Sequence, residues 1–520
     1  MSRFGWGVGI AVMLLATGAS AETSGRSTIR LTANARELSV QYDPRREVHS
    51  IELARTTNSA ERSGWTFRPA FTDAGGSIRR FDGKGFRRAV TLISSDTKMI
   101  DRVYPQALRV GQGWQLYGPY LQTKTGDARF KVRLPHAWIA APSLSLAGYL
   151  YVGPRDYLRA GIVAAPAIPS ALRSQIVAAF EGARTLYTRR LGVAASRPPL
   201  VIIALDPTLQ WGWRGDSTPG ALSLRFAPDI ISRHMSQDRV ARFVDHELFH
   251  DWWQGTIVMP AAEKGAWLQE GMAEYASLLA SDDDETVGME LARHLNGCSD
   301  ALAPAGLLSA PPTSGQAVYD CGTVFQWVRD LQVRHDSHGH EDAFTGWSNL
   351  LRRARSTHAP IPWAEAISEP ANVTDTDAAA ALLRPNAGRW PELVEALNRL
   401  GAHVMPTQDD GELRIAILQH LLTLACRDRI GFFTQDASVK LETGDRCGPL
   451  NGDPVIDSVA GHKLFTDAAG AFNAVAALCA SDRRVSFENG DRRVAELSCG
   501  KPLPPAPKRW AVRAWRSVKG

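Results

Sequence analysis

The stretch His246-Glu247-Leu248-Phe249-His250 constrains this chain more than any other, because two histidines four residues apart converge on one point only if the backbone between them is helical. On a helix those positions lie about 40° apart around the axis, so both imidazoles leave one face and can reach a single metal ion at about 2.0 to 2.1 Å. The neighbours agree. Val240, Phe243, Val244, Leu248 and Phe249 recur at helical spacing between Val240 and Trp253 and describe a largely buried helix. Glu247 is rotated about 100° from His246, which puts its carboxylate near the open coordination position where water binds rather than on the metal.

A site of this kind needs a third protein ligand. Glu270, in Trp267-Leu268-Gln269-Glu270-Gly271-Met272-Ala273-Glu274-Tyr275, opens the next amphipathic helix 20 residues after His250. His246, His250 and Glu270 together form a candidate ligand set for one Zn2+ ion. Glu274 lies one turn beyond Glu270 on the same face, where it could accept a hydrogen bond from the far nitrogen of His246 or His250 and fix the tautomer.

With Trp252, these motifs resemble those of the gluzincin metallopeptidases, aminopeptidase N and the glycyl aminopeptidases being the nearest look-alikes. The interval from second His to ligand Glu is eighteen residues in aminopeptidase N, whereas Asp251 to Gln269 is 19. Val318-Tyr319-Asp320-Cys321-Gly322-Thr323-Val324 is similar to the Y-x-K-G segment of aminopeptidase N, with Cys321 in place of its Lys. The resemblance implies that Tyr319 stabilises the tetrahedral intermediate, Glu247 is the general base, and the substrate is a peptide or protein. It also implies a thermolysin-like α+β catalytic domain that is mainly helical. One element departs from the pattern. The family's G-A-M-E-N, whose Glu binds the substrate amino terminus, has its nearest equivalent in Gly220-Ala221-Leu222-Ser223, which carries no carboxylate. Peptide-bond hydrolysis is therefore expected, with the choice between exopeptidase and endopeptidase open.

Around this domain, residues 166–400, the chain reads as multidomain. Residues 22–165 hold short strands punctuated by turns, an all-β domain. A helix is expected past Pro169, closed by Gly192, then a buried strand from Leu200 to Ala204 and an edge strand from Ala221 to Phe226. Residues 410–500 mix helix and strand; Gly431-Phe432-Phe433 and Gly452-Asp453-Pro454-Val455-Ile456 resemble the carboxylate loop and the G-D-x-I strand of a PDZ domain, which implies capture of peptide ends by strand addition. Residues 501–520 form a basic, Pro- and Trp-containing tail with Arg509, Trp510, Arg513, Trp515, Arg516 and Lys519, which could touch anionic lipid weakly or be a solvated end. His335, His338 and His340 read as a polar loop.

Arg3, the apolar run Val8 to Ala16 and the small triplet Ala19, Ser20, Ala21 have the layout of a secretory signal peptide, residues 1–21, so the protein is expected to be exported, periplasmic or secreted. The six cysteines agree, being even in number and outside any C-x-x-C spacing. Neighbour pairing would join Cys298 to Cys321, Cys426 to Cys447 and Cys479 to Cys499, one of 15 connectivities that six cysteines permit. If Cys298 bonds Cys321, the bridge stiffens the segment that carries Tyr319. The net charge of +5 is spread along the chain and carried mostly by Arg, with only ten Lys, so nothing forms the stripe that nucleic acid selects. Two other functions use the same motif: a zinc hydrolase of a non-peptide substrate, and a non-catalytic peptide-binding protein that keeps the zinc helices. Glu247 argues against the second, since a structural zinc site has no use for it.

Overall fold

The computed structural model describes residues 26–54, 65–68, 70–73, 76–93, 107–125, 128–141, 146–193, 198–209, 212–218, 220–231, 236–253, 257–258, 266–302, 315–362, 365–366, 389–426, 431–506 and 508–517. The signal segment and Lys519 lie outside them. The chain divides into two compact units, Met1–Ser174 with Ser196–Met235, and Gln175–Ala195 with Ser236–Gly520.

The first unit is built from strands that alternate inward apolar and outward polar residues. Ile29, Leu31 and Ala33 of Thr28–Ala33 are buried, as are Leu38, Val40 and Tyr42 of its antiparallel neighbour Leu38–Asp43. These strands belong to a five-stranded sheet, and Gly113–Tyr117 and Tyr149–Pro154 to a four-stranded one. Leu31, Val40, Ile93, Trp114, Leu116, Leu150 and Val152 share one core.

A third sheet in this unit crosses the expected boundary at residue 165. Ile162–Ala164 pairs in parallel with Leu200–Leu205, and helix α1, Ser170–Leu191, connects the two as a βαβ crossover. Gly192 follows α1 with φ +61°, the left-handed conformation that ends a helix at low cost in glycine. The strand Ala221–Phe226 lies inside this sheet rather than at its edge, between Leu200–Leu205 and Trp213–Thr218, and all six of its residues are buried. A sheet covered on both faces selects such an uninterrupted run, which is why alternation gave no hint of its place. Ser223 is fully buried and its hydroxyl accepts a hydrogen bond from Gln115 Nε2 at 2.8 Å.

The second unit is helical around α5, Gln316–Asp336, in which every residue from Asp320 to Val333 is buried. Against it packs α3, Ala266–Leu279; α2, Gln237–Trp253, packs on α3, and α4, Asp284–Ala301, on α5. The α3–α5 crossing is made by two glycines in contact. A Cβ on Gly322 would collide with the Trp267 carbonyl oxygen and the Gly271 backbone, and one on Gly271 with the backbone of Gly322. Asp283 caps α4 by accepting from the Glu285 amide. Helices α6, Ala343–Thr357, and α7, Arg389–Arg399, follow; Ser348 of α6 donates to the Leu191 carbonyl.

The C-terminal region has helices α8, Asp410–Ala425, and α9, Ala468–Ala480, with a three-stranded and a four-stranded sheet. Leu413, Leu421, Leu441, Ile456, Val475, Val485 and Phe487 form its core. Disulfides join Cys426 to Cys447 and Cys479 to Cys499 here, and Cys298 of α4 to Cys321 of α5.

The tail differs from its expectation. Arg509–Ala514 is a strand paired antiparallel with His403–Thr407 and packed on α4. Trp510 and Trp515 are buried, Asn296 exchanges two hydrogen bonds with the Trp510 backbone, and Arg509 reaches Asp300 and Glu412, each at 2.7 Å. Arg509, Arg516, Trp510 and Trp515 are thus used within the fold, whereas Arg513 is exposed. His335 ends α5, and His338 and His340 follow in an exposed turn; among the described residues they join no set of donors that could hold a metal.

Candidate metal centre

Residues Val240, Val244, Leu248, Phe249, Trp252 and Trp253 bury one side of α2, Tyr187 of α1 stacking edge-on against Phe249 and Trp252. That anchoring fixes the rotation of α2 about its axis and so the direction in which His246 and His250 point. The Gly271–Gly322 contact does the same for Glu270, which sits next to the crossing, and for Tyr319, one turn before Gly322 on α5.

The three expected ligand atoms meet. His246 Nε2 lies 3.2 Å from Glu270 Oε2 and 3.3 Å from His250 Nε2, and His250 Nε2 lies 3.4 Å from Glu270 Oε2. Four ligands at 2.0 to 2.1 Å around a tetrahedral zinc ion stand about 3.3 Å from one another, so these separations match three vertices of such a tetrahedron. The electrostatics favour a cation there. Burial works against a charged His246, but Glu270 and Glu274 outweigh it and hold the imidazole well above its ordinary range. Glu270, also opposed by burial, is brought low by His250 and His246. The same carboxylates would draw a metal ion into the cluster.

Structural comparison bears on the fold. An aminopeptidase N family protein from Idiomarina loihiensis superimposes with a TM-score of 0.61 over 95% of this chain and 99% of that one, at 11% identity. The fold is that of this aminopeptidase N family protein. An M1 zinc metallopeptidase mutant from Deinococcus radiodurans bound to a Tyr-Ser-Ala substrate matches at TM-score 0.37 and 15% identity, over 71% of this chain and 93% of that one. Native yeast LTA4 hydrolase matches at 0.41 and 11%, over 77% and 72%. Neither of these two superpositions is close enough to bear on the fold. No protein-family model matches the sequence, and a search of curated proteins finds no match.

Within this fold the remaining sequence candidates take definite places. Glu247 is half-buried on α2 beside His246, whose imidazole it stabilises electrostatically. The Tyr319 ring stands 5.8 Å from the His246 ring, centroid to centroid, at 38°. Glu274 Oε2 lies 3.0 Å from His246 Nδ1. Burial raises the Glu274 carboxyl, but His246 and His294 overcome it and bring it well below the carboxylate range. Of the nearest equivalent of the terminus-binding segment, Ala221, Leu222 and Ser223 are fully buried in the strand Ala221–Phe226, and Gly220 stands in the turn before it.

Three residues at the site were missed in the sequence: Arg293, His294 and Asp320. His294 Nε2 is 3.3 Å from Glu274 Oε1, and His294 Nδ1 is 2.8 Å from Asp320 Oδ1. A signal was present. His294 precedes Cys298 by one helical turn, and Asp320 stands between Tyr319 and Cys321, a charged residue in an otherwise apolar run that burial would force to find a partner.

Proposed function

We propose that this chain is an exported zinc-dependent metallopeptidase, a reading carried by the three ligand atoms at tetrahedral spacing with Glu247 next to the first of them. A zinc ion held by His246, His250 and Glu270 would supply the Lewis acidity that brings a water near neutrality in pKa and polarises a carbonyl. Glu247 takes the proton of the attacking water and returns it to the leaving amine. The Tyr319 hydroxyl donates to the oxyanion of the tetrahedral intermediate. Glu274, its Oε2 3.0 Å from His246 Nδ1, favours the proton on that nitrogen electrostatically, which leaves the Nε2 lone pair for the metal. The shared fold with an aminopeptidase N family protein supports peptide hydrolysis, whereas Ala221, Leu222 and Ser223, buried in their strand, give no support to an amino-terminal mode through that segment.

Export is supported by the cysteines, all six of which are in disulfides. We assign to residues 410–500 a PDZ-like role in binding peptide ends, supported by their own core and by the outer strand Gly431–Gln435, which pairs with Ser438–Glu442 on one side.

The test is to incubate the purified protein and its Glu247→Gln variant with a diverse peptide mixture and identify products by mass spectrometry. Cleavage by the wild type alone is expected, and the new ends distinguish terminal trimming from internal cutting. Equal cleavage by both proteins, or silence from both with one zinc bound, would overturn the reading.

A further inference from the structure

Behind the ligand cluster runs a polar chain whose far members, His294 and Asp320, the mechanism above does not use. From His246 it passes to Glu274, then to His294, then to Asp320, with contacts of 3.0, 3.3 and 2.8 Å. Glu274 starts on α3, His294 belongs to α4 and Asp320 to α5, so the chain crosses three helices. His294 is fully buried and Asp320 is 4% exposed. Arg293 closes the chain from the outer side, its Nη2 2.9 Å from His294 Nε2 and 3.8 Å from Glu274 Oε1, its Nη1 3.4 Å from Asp320 Oδ1. Gln316 donates to the same Asp320 oxygen at 3.1 Å.

The geometry leaves Asp320 little freedom. A carboxylate only accepts, so His294 Nδ1 carries the proton and donates to Asp320, and the ring orientation is thereby set. Arg293 is always charged and only donates, so its Nη2 gives to the His294 Nε2 lone pair, and the guanidinium, 3.8 Å from Glu274 Oε1, is the cation that steadies this carboxylate and so how its other oxygen meets His246. Gly297 is part of the arrangement, because a Cβ there would run into Asp320 Oδ2. One turn along α4 from His294, Cys298 bonds Cys321, the residue after Asp320. Two adjacent links, at Asp320 and Cys321, thus tie α4 to the part of α5 that directly follows Tyr319.

We propose that Asp320 and His294, assisted by Arg293, are positioning residues that orient the metal ligand His246 through Glu274 and couple that orientation to the placement of Tyr319. None of the three touches the reacting atoms. The proposal deepens the zinc-peptidase reading and rests on it for the chemistry. Its effect on metal binding can be measured whether or not a peptide is cut.

The experiment measures zinc affinity of the full chain by competition with a chromophoric chelator, for wild type, Asp320→Asn, His294→Asn and Arg293→Met. Leu291→Ala, a fully buried apolar truncation on the same helix, is the control. Outer contacts of this kind are worth about 10- to 100-fold in metal affinity, so Asp320→Asn and His294→Asn should weaken zinc binding by about tenfold or more. Arg293, half-exposed, should give a change of a few fold. Leu291→Ala should lower the melting temperature without changing zinc affinity. On a cleaved peptide, Asp320→Asn should lower kcat more than it changes KM. Zinc affinity within twofold of wild type in folded Asp320→Asn or His294→Asn would overturn the proposal. Should both buried variants fail to fold, an unchanged affinity in Arg293→Met would overturn it equally. Normal coupling in the zinc measurements with no peptide cleaved would instead count against the peptidase reading alone.

Discussion

Tyr319 and Glu247 stand at the same cluster but carry different loads, and single substitutions should separate them. Tyr319→Phe removes one hydroxyl at the helix turn that faces His246 and leaves the ring in place. Loss of one preorganised oxyanion donor costs about 2.7 to 4 kcal/mol of transition-state stabilisation, so kcat should fall about 10²- to 10³-fold with KM and zinc content unchanged. A drop in zinc content with the drop in rate would show instead that the ring supports the ligands. Asp245, directly before the first histidine, makes a second prediction. Burial pushes its carboxyl up to about 7, against about 3.9 in an unfolded chain. Between those values the folded protein keeps a proton that the unfolded chain has released, so this group's contribution to stability falls as pH rises from about 4 to about 7 and is level above. Asp251, raised to about 6 by burial, acts in the same direction. Asp245→Asn should therefore stabilise the metal-free protein by up to about 4 kcal/mol at pH 8 and much less at pH 4. Urea unfolding at the two pH values measures this, and equal effects at both would contradict it.

The α3–α5 crossing is what turns a pattern of letters into a site. Glu270 and Tyr319 come from segments 49 residues apart in the chain, and they share a cluster because Gly271 and Gly322 let two backbones touch. Alanine at Gly322 would drive its Cβ into the Trp267 carbonyl. Overpacking of this kind typically costs about 1 to 3 kcal/mol, and a carbonyl oxygen of a rigid helix cannot step aside as a flexible side chain would. Gly322→Ala should lie at or above the top of that range in denaturant unfolding and should also weaken zinc binding, because α3 would carry Glu270 away. Gly182, with open space around its Cβ position on α1, is the control, where alanine should be neutral or stabilising. His246 and His250 were legible in the sequence because helical spacing is local, four residues of backbone placing both, whereas Tyr319 was reached through the likeness of its segment to Y-x-K-G and not through spacing. The Asp320–His294 pairing was not legible, because it depends on how α4 crosses α5, and no periodicity along one helix reports its neighbour's register. The same limit explains the strand Ala221–Phe226. Its residues mark it as buried, but whether a buried strand is an inner or an edge member is decided by the strands on either side, here Leu200–Leu205 and Trp213–Thr218.

At the scale of the second unit, the C-terminal strand is the least expected element and the one with the clearest consequence. A segment with four Arg or Lys, two Trp and no acid between Lys508 and Arg516 reads as free chain, because from composition alone its charges have no partners. The partners lie far back in the sequence. Asp284, Asn296 and Asp300 are on α4, Glu412 is on α8, and the Trp327 indole of α5 donates to the Trp515 carbonyl. Arg509–Ala514 therefore closes the outer side of the helix that carries His294 and Cys298. Deleting residues 508–520 would leave the strand His403–Thr407 without its mate, expose the side of α4 that it covers, and remove two buried indoles, each of which contributes about 3 kcal/mol or more when truncated from a core. The shortened chain should lose most of its cooperative unfolding transition, an effect far larger than removal of a solvated tail would have. Arg509→Ala, which breaks the contacts to Asp300 and Glu412 while leaving both indoles, should be milder, about 1 to 2 kcal/mol after allowance for the solvent that reaches its partners. If the deletion instead leaves the melting temperature unchanged and abolishes sedimentation of the full chain with vesicles rich in anionic lipid, the strand is only loosely held and its Trp and Arg side chains serve a membrane surface after all. If stability collapses and neither chain sediments with vesicles, the basic character of the segment belongs to its pairing with Asp284, Asp300 and Glu412.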